Sequence, residues 1–349
     1  MQTALGIIEG FYGQPWSWEA RAETIAFLRP HGYQFYFYAP KADPFLRKRW
    51  QEDHPGEAAD NLRALTAKCH KLGVRFGIGL SPFEIYRNFD RSARGALARK
   101  LSFFSDIGID DLAILFDDMC GDEPELAEKQ VAVIHWIAER VDAARLAVCP
   151  TYYSDDPLLD RYFGKRPENY LEELGARLDP SIDVFWTGEE VCSRQYSTGH
   201  LERVCRLLGR KPLLWDNYPV NDGARMSQYL HLRAFTGRPA SAADFITAHA
   251  VNPMLQPVLT RIAALSLSQS YRLGDAYEYG RAFADAAVEV AGPAIAKLLQ
   301  EDLFLLQDSG RDRLGDAALR LRGRYDGFGH PAAREIIAWL DGDRRIEAD

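Results

Sequence analysis

Short, almost wholly apolar runs recur along the chain and alternate with segments of helical period. The runs are Ala4–Glu9, Gln34–Ala39, Arg75–Leu80, Leu112–Phe116, Leu146–Cys149, Val184–Trp186, Pro212–Trp215 and His249–Asn252. Between them Glu19–Leu28, Ala58–Leu72, Ala93–Ile107, Glu125–Asp142 and Glu202–Leu208 repeat apolar residues at the spacing of one helix face. Strands that are apolar throughout are buried on both faces, as parallel strands are. Eight such β–α units within 1–270 predict an α/β fold, a closed (β/α)8 TIM barrel. A doubly wound open sheet is the alternative, but no G-x-G-x-x-G turn follows the first run.

Beyond about Tyr271 the strand-like runs stop. Ala282–Ala291, Ala294–Leu306, Ala317–Tyr325 and Ala332–Leu340 read as helices, punctuated by Gly292-Pro293 and by Gly327–Pro331. Residues 271–349 are therefore expected to form a small C-terminal helical subdomain beside the barrel of 1–270. The connection from Asp216 towards Ser241 is the longest in the barrel, and its Tyr, Leu, Phe and Met content predicts an ordered, functional loop.

Composition narrows the class. A chain of 349 residues with 47% hydrophobic and 26% charged side chains can bury a large core, which excludes disorder as its main state. The formal charge of −8 argues against nucleic acid as principal partner. Five widely spaced cysteines without a C-x-x-C pair point to a reducing compartment, and the N-terminus has no basic segment leading an apolar one. No apolar stretch approaches the roughly 18 residues that span a bilayer. The expectation is a cytoplasmic protein with no membrane partner.

In a barrel the chemistry gathers where strands end. Here those ends are Glu9-Gly10, Tyr38–Lys41, Phe116-Asp117-Asp118, Cys149–Tyr153, Trp186-Thr187-Gly188, Trp215-Asp216-Asn217 and Asn252-Pro253. Aromatics, amides and carboxylates converging on one face suit a carbohydrate. The sharpest feature is Leu112–Asp118, five apolar residues followed at once by two acids. Charge on one disfavours charge on the other, which favours one as a protonated general acid and the other as an anion. Taken alone, such a pair is most often a helix cap beside a solvent-facing acid. It can also hold Mg2+, although the scattered histidines form no His-Glu-x-x-His site, and no metal or organic cofactor is expected. Alone, Lys41 would be a solvated charge, Asn217, Asp222 and Asn252 turn residues, and Tyr12, Trp16, Tyr153 and Trp215 packing. Glu9 and Asp216 would hold neighbouring groups in place.

The combination changes that weighting. Gly6–Trp16, Tyr38-Ala39-Pro40-Lys41 and Phe116-Asp117-Asp118 strongly resemble family 84 glycoside hydrolases, the β-N-acetylglucosaminidases that include protein O-GlcNAcases and bacterial hyaluronidase-like enzymes. The resemblance continues through Cys149-Pro150-Thr151, Tyr153, Trp186-Thr187-Gly188, Trp215-Asp216-Asn217, Asn221-Asp222 and Asn252-Pro253, over roughly residues 1–270. It implies a retaining exo-β-N-acetylglucosaminidase in which the substrate's own 2-acetamido oxygen attacks the anomeric carbon and forms an oxazoline. No carboxylate then needs to stand about 5 Å from the acid as nucleophile, which suits consecutive Asp residues.

By that resemblance Asp117 accepts the acetamide N–H, and Asp118 is general acid and then base. Tyr153 bonds near the acetamide oxygen. Gly6 (main chain), Lys41, Asn217, Asp222 and Asn252 hold the hydroxyls and acetamide region, while Trp215 and Val191 shape the acetamide pocket. The implied partner is a GlcNAc-terminated glycoconjugate or glycoprotein. The chain departs from the family at Ala42, where an acid is common, at Phe83, where glycine often follows the proline, and at Tyr152, often Glu. These touch leaving-group preference. A catalytically silent GlcNAc-binding barrel is the alternative, and the intact acid pair speaks against it.

Overall fold

The eight apolar runs become eight parallel strands in the computed structural model, which describes residues 3–346. They are β1 (Ala4–Glu9), β2 (Tyr33–Tyr38), β3 (Arg75–Leu80), β4 (Asp111–Leu115), β5 (Arg145–Cys149), β6 (Asp183–Trp186), β7 (Leu213–Asp216) and β8 (Ala248–Val251). They pair in chain order, and β8 closes on β1 with Ala4 opposite Ala248 and Ile7 opposite Val251. The protein is a (β/α)8 barrel. Strand β4 shows why apolar runs end up here: Leu112, Ala113, Ile114 and Leu115 are fully buried, and each large side chain contributes roughly 1.5–3 kcal/mol on leaving water.

Three strands start on a polar residue that the apolar pattern leaves out: Asp111, Arg145 and Asp183. They lie at the N-terminal rim, where Arg75 Nε bonds both carboxylate oxygens of Asp111 at 3.0 and 3.2 Å. The outer helices start where the sequence supplies caps. Ser17 Oγ accepts from Ala20 N ahead of Trp18–Leu28, and Asp90 Oδ1 accepts from Ala93 N ahead of Arg91–Ile107.

Helices Pro157–Phe163, Tyr170–Arg177 and Pro257–Leu273 were not among the segments that the apolar period picked out. The last has its apolar and small residues buried nearly all round, because it lies between the Trp18–Leu28 helix and the helices that follow, so no polar face marks its period. It crosses residue 270. After it come Tyr279–Gln307, broken at Gly292-Pro293, then Asp316–Tyr325 and Pro331–Leu340. Glu335 on the last helix accepts from the N–H groups of Val258 and Leu259, both at 2.9 Å, and so caps the helix that follows β8. Burial pushes its carboxyl up to about 7 against those two bonds. No helix among the described residues is long and apolar enough to cross a membrane.

Candidate active site

At the C-terminal mouth of the strands lies a cavity of about 160 Å³. Its walls are Gly10, Tyr12, Lys41, Asp117, Asp118, Cys149, Tyr153, Thr187, Val191, Cys192, Trp215, Asn217, Val220, Asp222 and Asn252. Every barrel strand except β3 sends a residue there, from its end or the loop after it. The lining mixes apolar and aromatic side chains with a few polar and charged groups, as ligand pockets do.

Asp117 follows the buried end of β4 and is only 5% exposed. Its Oδ2 forms an ion pair with Lys41 Nζ, which reaches in from the loop after β2. Its Oδ1 is buried and has no partner among the described residues. A buried carboxylate oxygen with an open valence is costly unless a ligand fills it. Asp118 is less buried, and both its oxygens accept from tyrosine hydroxyls: Oδ2 from Tyr12 at 2.7 Å and Oδ1 from Tyr153 at 3.2 Å. Burial first, then the charge of Asp118, raises both phenols above their ordinary range, so they stay protonated and can donate. Asp118 has φ 56, in the left-handed region. That conformation costs a residue with a side chain on the order of 1–2 kcal/mol, although Asp tolerates it better than most.

The opposite wall is an amide relay. Asn217 Oδ1 accepts from Trp215 Nε1 and Asn252 Nδ2, both at 2.9 Å, and Asn217 Nδ2 donates to the Val191 carbonyl at 2.8 Å. Asn252 Oδ1 accepts from Gly10 N at 3.2 Å. Asp222 Oδ2 accepts from Tyr12 N at 2.7 Å. Burial raises the Asp222 carboxyl, the nearby charge of Asp118 adds to that, and the Tyr12 bond opposes both. Trp215 lies edge-on to Phe185 with ring centroids 5.4 Å apart, and Lys41 Nζ stands 5.8 Å from the Trp215 centroid.

With this geometry in hand, likeness to known proteins decides the family. A family model described as beta-N-acetylglucosaminidase matches residues 5–304. The chain belongs to the beta-N-acetylglucosaminidase family. This is a family of glycoside hydrolases, and the chain is similar to the protein O-GlcNAcases of Rattus norvegicus and Mus musculus, each 29% identical over 276 residues. Those alignments cover 76% of this chain and 30% of each relative, so the chain spans under a third of the curated proteins' length. Among solved structures it resembles a mutant O-GlcNAc hydrolase of Thermobaculum terrenum. There the TM-score is 0.81 and the identity 27%, with 96% of this chain and 80% of that one covered.

As a member of this family the chain brings together Asp117, Asp118, Lys41, Tyr153, Val191, Trp215, Asn217, Asp222 and Asn252. Gly6 is the correction. It lies inside β1, three residues before the strand end, or roughly 10 Å below the mouth at about 3.3 Å per residue. A Cβ there would stand 2.2 Å from the Phe35 ring, so glycine at 6 makes room for barrel packing. Gly10 is the glycine that reaches the cavity, and its missing side chain lets the Trp215 ring approach to 2.2 Å of where a Cβ would be. Tyr12, read as packing, holds Asp118 instead. The signal was its place in the glycine- and aromatic-rich turn Gly10–Trp16. Cys192 and Val220 gave none, because they enter through loops, whereas Thr187 stood in the strand-end motif Trp186-Thr187-Gly188.

Proposed function

We propose that the protein is a retaining exo-β-N-acetylglucosaminidase acting on GlcNAc-terminated glycoconjugates, GlcNAc-modified proteins among them, through an oxazoline formed by the substrate's acetamide. The observation that carries this reading is the unpartnered Oδ1 of Asp117, buried in the cavity beside the tyrosine-held Asp118. An acetamide N–H is a donor of the right kind for that oxygen. Accepting it would turn the acetamide oxygen towards the anomeric carbon and offset the positive charge that builds on the ring nitrogen. Lys41 pairs with the other oxygen and leaves this one to the ligand.

Asp118 would protonate the leaving oxygen and then take a proton from the attacking water. Tyr153 and Tyr12 hold its two oxygens until substrate arrives. Asn217, Asn252 and Asp222 would meet the sugar hydroxyls, while Trp215 and Val191 would enclose the acetamide methyl. A cavity of about 160 Å³ suits a single terminal residue. The likeness to O-GlcNAcases supports a protein-linked substrate, and the five free cysteines suit a cytoplasmic location.

The test is the stereochemistry of the first product. Proton NMR of a chromogenic β-GlcNAc glycoside during turnover should show the β-anomer of GlcNAc before mutarotation, and a thiazoline analogue of the cyclised intermediate should inhibit competitively. Initial release of the α-anomer would rule the oxazoline route out.

A further inference from the structure

Asp118 occupies a backbone conformation that residues with side chains keep only when their surroundings hold them there. The group that meets its peptide is Arg47, whose Nη2 donates to the Asp118 main-chain oxygen at 3.1 Å. Arg47 is only 8% exposed. Its guanidinium lies 5.5 Å from the Phe83 ring centroid, and its Nη1 is buried without a partner.

Two other buried arginines are matched differently, whereas Arg311, among the C-terminal helices, likewise bonds a carbonyl, that of Trp339. Arg21 grips Glu9, and Arg238 grips Asp216, each through two nitrogens. Among the described residues Arg47 has no carboxylate within ion-pair distance. A buried cation ordinarily needs such a partner, because burial costs it its hydration. Here the planar, pre-organised fork is committed to one carbonyl oxygen, that of Asp118.

We propose that Arg47 is a positioning residue for Asp118, an inference that rests on Asp118 being the general acid. By holding the main-chain oxygen, Arg47 fixes the left-handed turn that aims the carboxylate between Tyr12 and Tyr153 and towards the leaving group. The loop after β2 thus serves both acids, Asp117 through Lys41 and Asp118 through Arg47.

The experiment measures kcat and KM on aryl β-GlcNAc glycosides whose leaving phenols differ in acidity, with thermal unfolding read alongside. Arg47→Met should slow the poorest leaving groups by about tenfold to a hundredfold, the scale of a misplaced catalytic group. Rates on dinitrophenyl glycosides should change by less than about threefold, because those phenols depart without a proton. KM should hold, and Arg47→Lys should recover part of the loss. An equal loss on all substrates, or an unchanged leaving-group slope, overturns the inference. If Arg47→Met does not fold, Arg47→Lys decides: a slope steeper than that of the unaltered protein supports the role, and an equal slope overturns it. Asp118→Asn, run in parallel, separates the two claims. If it steepens the slope while the Arg47 variants do not, only the positioning role fails. If it leaves the slope unchanged, the assignment of Asp118 fails and takes this inference with it.

Discussion

Glu9 and Asp216 end β1 and β7 much as Asp117 and Asp118 follow β4, yet the two pairs meet opposite surroundings. Arg21 binds both oxygens of Glu9 at 2.7 and 2.8 Å, and Tyr36 donates to one of them. Arg238 binds both oxygens of Asp216 at 2.8 and 2.7 Å, and His249 Nε2 lies 3.0 Å from one. Burial alone would raise the Asp216 carboxyl, but the Arg238 charge and its bonds outweigh it and hold it below the usual range. Neither acid has a free valence, and their work is structural. In the β4 pair, Asp117 keeps one oxygen empty and the Asp118 carboxylate is held by neutral hydroxyls that a substrate can displace. Position at a strand end therefore does not make an acid reactive. An open valence or a displaceable partner is what leaves an acid available to a ligand.

The largest expected departure is at Asp118. Asp118→Asn should slow substrates with poor leaving groups by about 10²–10⁴-fold and largely spare dinitrophenyl glycosides. Equal losses across a leaving-group series would remove it as the acid. Next is the closed pair: Asp216→Asn leaves Arg238 buried against carbonyls alone, and urea unfolding should report a loss of about 3–5 kcal/mol. A variant as stable as the parent would show that this ion pair is not the brace described here.

At Asp117 the substitution Asp117→Asn should lower kcat by about 10²–10³-fold on every substrate, good leaving groups included, while the fold survives. Activity near the parent's would sink the oxazoline reading. The smallest effect lies in pH. A carboxyl depressed by folding contributes stability that is fully present above its unfolded value of about 3.9 and is lost as pH falls through its folded value. Removing Asp216 should therefore flatten the acid limb of the stability curve, and a limb of unchanged slope would assign it to other groups.

Much of this was legible before any coordinates. The apolar runs placed all eight strands, with end shifts of one residue everywhere but β1 and β3, three of them because the strand opens on Asp111, Arg145 or Asp183. Helix Pro257–Leu273 escaped because burial on nearly all sides erases the polar stripe that periodicity needs. Within the site, the strand-end residues Asp117, Asn217 and Asn252 were found where the order of motifs put them. Gly6 was misplaced and Gly10 named only as a strand end, because two glycines four residues apart in one motif look alike in sequence. They differ only in which ring approaches, Phe35 within the barrel or Trp215 at its mouth.

The order of residues by itself determined the barrel, since eight runs buried on both faces admit few arrangements, and it determined the adjacency of the two acids. Folding decided the rest: which carboxylates an arginine saturates, which oxygen stays open, and which backbone is held left-handed. Those outcomes hang on contacts between residues far apart in the chain, such as Arg47 with Asp118 and Gly10 with Asn252. Local pattern carries no record of such distances, because hydrogen bonds and ion pairs act over a few ångströms of space whatever the separation along the polymer.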